Sequence, residues 1–158
     1  MRDQRLTVRL ALLIAVACSV AVAARIPSDL KRTVGFLLVE NDKGEKVPNG
    51  TCFFVGIPKD NEKGVGWTYL VTADHVLRGN NGNYLSRIWL RLNRVSAGAQ
   101  LVELPLTDPK RKVVYTHPTE KDVDIAVIPV VLPAIVFDVV ALSMSYLTTK
   151  DDFKNLEV

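Results

Sequence analysis

Trp67-Thr68-Tyr69-Leu70-Val71-Thr72-Ala73-Asp74-His75-Val76-Leu77 decides how the rest of the chain is read. Trp67, Tyr69 and Val71 alternate with Thr68, Leu70 and Thr72, and β-branched and aromatic side chains dominate. That pattern predicts a strand. The alternation breaks at Ala73-Asp74-His75, so His75 stands just past the strand's end. There a rigid sheet passes into a surface turn, which can fix an imidazole and leave one ring nitrogen open to a reactant. Taken alone, the blander reading is the stronger one, a partly buried histidine satisfied by a backbone carbonyl.

A second stretch changes that balance. Asp122-Val123-Asp124-Ile125-Ala126-Val127-Ile128 opens an almost wholly apolar strand with carboxylates. An acid at the mouth of a buried strand needs a partner, because a lone buried charge is costly. His75 is the natural one. A carboxylate bonded to one imidazole nitrogen sets the tautomer and stabilises the imidazolium formed at the other. Asp122 and Asp124 sit at i and i+2 and share a strand face, so periodicity admits either.

Three runs together resemble a known family: Gly50-Thr51-Cys52-Phe53-Phe54-Val55, Leu70-Val71-Thr72-Ala73-Asp74-His75 and Asp124-Ile125-Ala126-Val127. In order and spacing they look like the first half of a trypsin-like serine peptidase, of the bacterial kind within the two-barrel chymotrypsin fold. The likeness runs from Thr33 to Val131 and fades beyond. It implies that His75 is the general base and Asp124, rather than Asp122, its orienting acid, in the His-then-Asp order of that fold. It implies a polypeptide substrate and no cofactor. Asp74 departs from the family, where alanine is usual, and its charge beside His75 would favour the imidazolium.

The family's nucleophile is a serine in a Gly-x-Ser-Gly context on a second barrel, which also supplies the oxyanion hole and the specificity pocket. No Gly-x-Ser-Gly occurs in this sequence. The expected product is therefore the N-terminal half of a secreted serine endopeptidase, without activity by itself. Two alternatives stand beside it. One is a non-catalytic, single-barrel protein-binding module; the other is a barrel completed by a separately encoded half. A lone first barrel exposes the face that would meet a second one, which favours self-association.

Composition limits the field. The chain has 158 residues, 48% of them hydrophobic, with a formal net charge of +3. That charge is too small to argue for nucleic acid, and no basic cluster with interleaved aromatics accompanies it. Residues 1–24 read as a secretory signal peptide: Arg2, Arg5 and Arg9 precede an apolar run, and Ala21-Val22-Ala23 offers a small-residue cleavage site. The run is shorter than the ~20 residues of a membrane span. The expected location is secreted or periplasmic, with no membrane association after cleavage. Cys18 follows Val16-Ala17 as in part of a lipoprotein box, but Ala15 stands where leucine is expected. Cleavage would leave Cys52 alone in an apolar strand, where it reads as a buried, inert thiol rather than a nucleophile.

The body reads as strands and turns: Val34–Glu40, Thr51–Ile57, Trp67–Thr72, Tyr84–Asn93, Leu101–Leu106 with Lys112–Tyr115, and Ile125–Val130. Asn41–Gly44 and Pro48-Asn49-Gly50 carry turn chemistry between them. Ile88, Leu90 and Leu92 fall on one face of their strand, Arg87, Trp89 and Arg91 on the other. The fold class is all-β, a single six-stranded antiparallel barrel over 25–131, with an irregular connector at 132–158. No His, Cys and Glu spacing suits zinc, so no metal site is expected, and His117 reads as an exposed loop residue. Ser143 and Ser145 in the connector lack flanking glycines and are not read as nucleophiles.

Overall fold

The computed structural model describes residues 27–59 and 66–147. The signal peptide expected at 1–24 and the polar end at 151–158 lie outside the described residues. Among those described, a short helix α1 (Ser28–Arg32) leads into eight strands: β1 (Val34–Glu40), β2 (Lys46–Pro58), β3 (Gly66–Thr72), β4 (Arg87–Asn93), β5 (Ala99–Pro105), β6 (Tyr115–Thr116), β7 (Ala126–Val130) and β8 (Leu142–Ser143). They form one sheet in the order β5-β4-β1-β2-β3-β7-β6, with β8 added to β2. Every pairing is antiparallel except the parallel β2/β8 contact. No helix among the described residues is long and apolar enough to cross a membrane.

The all-β expectation holds at this level, but the strand count differs. The sheet has eight strands rather than six and is not closed by a hydrogen-bonded ladder. The end strands β5 and β6 are successive in sequence, and β5 pairs with β4 while β6 pairs with β7. Residues 106–114 join the two ends and place Leu106 and Val114 in the same core as Leu37, Phe54, Leu70, Leu90 and Ile128. Seven strands laid flat would span roughly 30 Å, so sharing one core requires the sheet to curl. Pro105 and Pro109 explain the break, since proline cannot donate to a ladder.

Alternation along each strand builds that core. In β4, Ile88, Leu90 and Leu92 are buried while Arg87 and Arg91 are exposed. Trp89, on the outer side, carries the Lys46 ammonium 3.8 Å from its ring centroid. Phe54 and Leu70, opposite each other on β2 and β3, are both fully buried. In β7, Pro129 pairs with Tyr69 beyond the point where the β6 ladder ends, so its missing N–H breaks nothing.

Asn41 makes the β1–β2 turn as its sequence predicts: its Oδ1 accepts from the N–H groups of Lys43 and Glu45, each at 2.9 Å. Pro48-Asn49-Gly50 does not turn. Gly50 lies opposite Leu37 and Pro48 opposite Leu38, which leaves Asn49 as the extra residue of a β-bulge within β2.

The C-terminal stretch is more than a loose connector. The Val95 N–H donates to the Val136 carbonyl at 3.0 Å and the Val140 N–H to that of Arg32 at 3.1 Å. Arg32 pairs with Asp138 at 2.6 Å, and Phe137 is buried. The chain then joins β2 as β8. Residues 132–147 thus form a strap tied to β4, α1 and β2.

Candidate active site

His75 sits on a single 3-10 turn, Asp74–Leu77, that follows β3 directly. Two apolar residues of the turn, Val76 and Leu77, are buried and anchor it to the core. The sequence alternates no further because the turn sends Asp74 and His75 outward and the next two residues inward. Two polar contacts fix its position. Thr72, buried at the end of β3, donates its hydroxyl to the Thr51 carbonyl at 2.8 Å. Asn49, the bulge residue of β2, donates its side-chain amide to the Val76 carbonyl at 2.7 Å.

Asp124 lies two residues before β7 and meets His75 through both carboxylate oxygens. The His75 backbone N–H donates to Oδ1 at 3.0 Å, and Nδ1 lies 2.5 Å from Oδ2. An ionised carboxylate only accepts, so the geometry assigns the ring proton to Nδ1. The Asp124 carboxyl is held below its ordinary range, first by the His75 backbone N–H and then by the imidazole. Among the described residues nothing bonds Nε2, and the His75 side chain is 73% exposed. The imidazole is therefore a held base with an open edge. Asp122 is also exposed, and the carboxylate that bonds His75 is that of Asp124.

The pair borders a cleft of about 500 Å³ lined by Asn49, Thr51, Phe53, Val71, Val76 and Ile125, among others. Phe53, Val71 and Ile125 continue into an apolar groove of about 460 Å³ on the outer face of β2, β3 and β7. Strand register explains this face. Val34, Phe53, Val71, Val127 and Tyr115 form one cross-strand row, and Val55, Tyr69 and Pro129 form the next. Both rows point away from the core. Val55 is 4% exposed yet stands outside the core cluster. It lies under the strap, whose Met144 and Leu147 wall the groove.

The other chemically capable residues lie apart. Cys52 is buried among Gly35, Phe54 and Leu90. Burial pushes its thiol up to about 12, only partly opposed by a backbone hydrogen bond from Gly35. His117 accepts the Glu120 N–H at 2.9 Å on an exposed loop. Ser143 pairs with Gly56, whereas the His75 turn packs at Gly50. Six strand residues separate those points, roughly 20 Å at ~3.3 Å each, so neither Ser143 nor Ser145 serves His75. Among the described residues no cluster of His, Cys, Asp and Glu could hold a metal ion.

Asp74 has partners of its own beside the pair: its carboxylate accepts from the Tyr84 hydroxyl at 2.7 Å and from Arg78 Nε at 2.6 Å. Sequence reasoning missed this network, and missed Asn49 and Gly50 as supports. Asp74 and Arg78 are spaced at i and i+4, but Tyr84 carries no local signal. No protein-family model, curated protein or solved structure matches this chain.

Proposed function

We propose that this chain is the His–Asp-bearing half of a secreted serine endopeptidase, and that its curled sheet is the first barrel of such an enzyme. The observation that carries this reading is the double engagement of Asp124 by the His75 backbone N–H and Nδ1, which leaves Nε2 open on a cleft. An imidazole held this way is suited to general-base work.

In the proposed reaction Nε2 takes the proton of a serine hydroxyl as its oxygen bonds the scissile carbonyl carbon. The carbon–nitrogen bond then breaks, and Nε2 returns the proton to the leaving amine. Water, deprotonated by the same nitrogen, then bonds the acyl carbon, the carbon–oxygen bond to the serine breaks, and Nε2 returns the proton to the serine oxygen. Asp124 keeps the ring oriented and balances the imidazolium charge. The serine and the oxyanion donors come from outside these 158 residues, because no Gly-x-Ser-Gly is present and the connector serines are remote. The apolar face beside the cleft supports a large partner there.

The chain alone is therefore expected to lack peptidase activity. The test is stopped-flow turnover of an activated ester by the purified chain. A burst of product abolished by His75→Ala would contradict the proposal. The apolar face also favours a second reading, a non-catalytic protein-binding module. That reading expects tight binding of a polypeptide that survives His75→Ala and Asp124→Asn unchanged.

A further inference from the structure

The geometry points to Asp74, Arg78 and Tyr84 as a positioning clasp that fixes the orientation of His75 by locking the turn on which it rides. This rests on the reading of His75 as a general base. Asp74 precedes His75 directly, and its side chain is 17% exposed against 73% for His75, so the neighbours on the turn meet different surroundings. Both Asp74 oxygens are taken, one by the Tyr84 hydroxyl at 2.7 Å and the other by Arg78 Nε at 2.6 Å. The Arg78 guanidinium lies 4.1 Å from the Tyr84 ring centroid and donates a further bond to the Gly82 carbonyl at 2.7 Å.

Backbone bonds close the unit. Arg78 and Tyr84 form a β-bridge, and the Leu85 N–H donates to the Leu77 carbonyl at 2.9 Å. The loop 78–84, with no apolar anchor in its tip, is thus pinned to the His75 turn from behind. The turn itself is only four residues long and holds two 3-10 hydrogen bonds of 3.1 and 3.2 Å. Such a turn is weak in isolation. A partly buried carboxylate with a bidentate set of donors stiffens it through charge-assisted bonds. Burial first, and the Asp74 bond second, hold the Tyr84 phenol above its usual range, so it remains a donor. The His75 backbone N–H and Nδ1 can meet one carboxylate only if the peptide plane and ring keep a fixed relation. The clasp restrains the peptide unit between Asp74 and His75.

The test reads the His75 tautomer by the ring ¹⁵N shifts of the full chain above the imidazole titration range. The wild type is expected to show the Nδ1–H form. Asp74→Ala and Tyr84→Phe are expected to relax toward the Nε2–H form that free imidazole favours, lowering the Nδ1–H population by at least about two-fold. Tyr84→Phe keeps the ring under Arg78 and guards against a global loss of fold. Amide exchange of Leu70 and Leu90 checks that the core is intact. An unchanged tautomer in folded variants overturns the clasp and leaves the base reading standing. A wild type without the Nδ1–H form overturns both at once.

Discussion

Gly50 on β2 lies against Val76 of the His75 turn so closely that a Cβ on Gly50 would stand 2.6 Å from Val76 Cγ1. Val76 is buried and β-branched, with little rotamer freedom to yield. Gly50→Ala must therefore push the turn outward. The expected cost is about 1–3 kcal/mol, the range for overpacking, read as a lower denaturant midpoint. The Asp124 contact should loosen with it. An alanine variant of unchanged stability would show that the turn gives way freely.

The Asp124 carboxyl should titrate below the ~3.9 of an ordinary aspartate. A depressed folded-state value means the carboxylate favours the folded state above the unfolded value. That contribution disappears as pH falls through the folded value. Because the His75 backbone N–H is the largest single cause and survives the substitution, His75→Ala should return only part of the depression. Carboxyl ¹³C shifts followed below pH 5 check this. Full return to the ordinary value would place the effect on the imidazole instead.

Cys52 should resist alkylation in the folded protein and react only after unfolding, since its thiol is pushed up to about 12 and its side chain is buried. Peptide mapping after iodoacetamide at pH 8, with and without denaturant, reads it. Rapid native labelling of Cys52 would reopen the question of a cysteine nucleophile.

Ile57 and Trp67 are cross-strand partners at the outer end of the apolar face, and both are exposed. The chain is expected to self-associate through this face with rising concentration. Ile57→Lys combined with Trp67→Lys should shift sedimentation toward the monomer and leave the thermal midpoint within a few degrees, as surface substitutions do. Equal association of both proteins would move the contact elsewhere.

How much of this was legible beforehand depended on whether the signal was local. Trp67–Thr72 and Tyr84–Asn93 alternate, and the structure has strands at Gly66–Thr72 and, starting three residues late, at Arg87–Asn93. The sequence pairs His75 with Asp124, and the two are in contact. Asn49 and Gly50 carry the chemistry of a turn, and only the opposing strand shows that they belong to a bulge. Asp74 is paired with Arg78, four residues on, and bonded by Tyr84 across a loop, and only the first of these carries a local signal. The strap at 132–147 lacks periodicity, because its contacts alternate between β4, α1 and β2 rather than following one element. The curl of the sheet depends on where residues 106–114 pass, which no local pattern encodes.

The most direct test is serine-directed labelling of the native product, captured from its source with an antibody to the β1–β7 sheet and treated with a fluorophosphonate. The expected result is one labelled serine on a polypeptide that is continuous with this chain or held tightly on its apolar face, with labelling lost in His75→Ala. A captured product consisting of this chain alone, without a labelled serine, would contradict the peptidase account and leave the binding-module reading in its place.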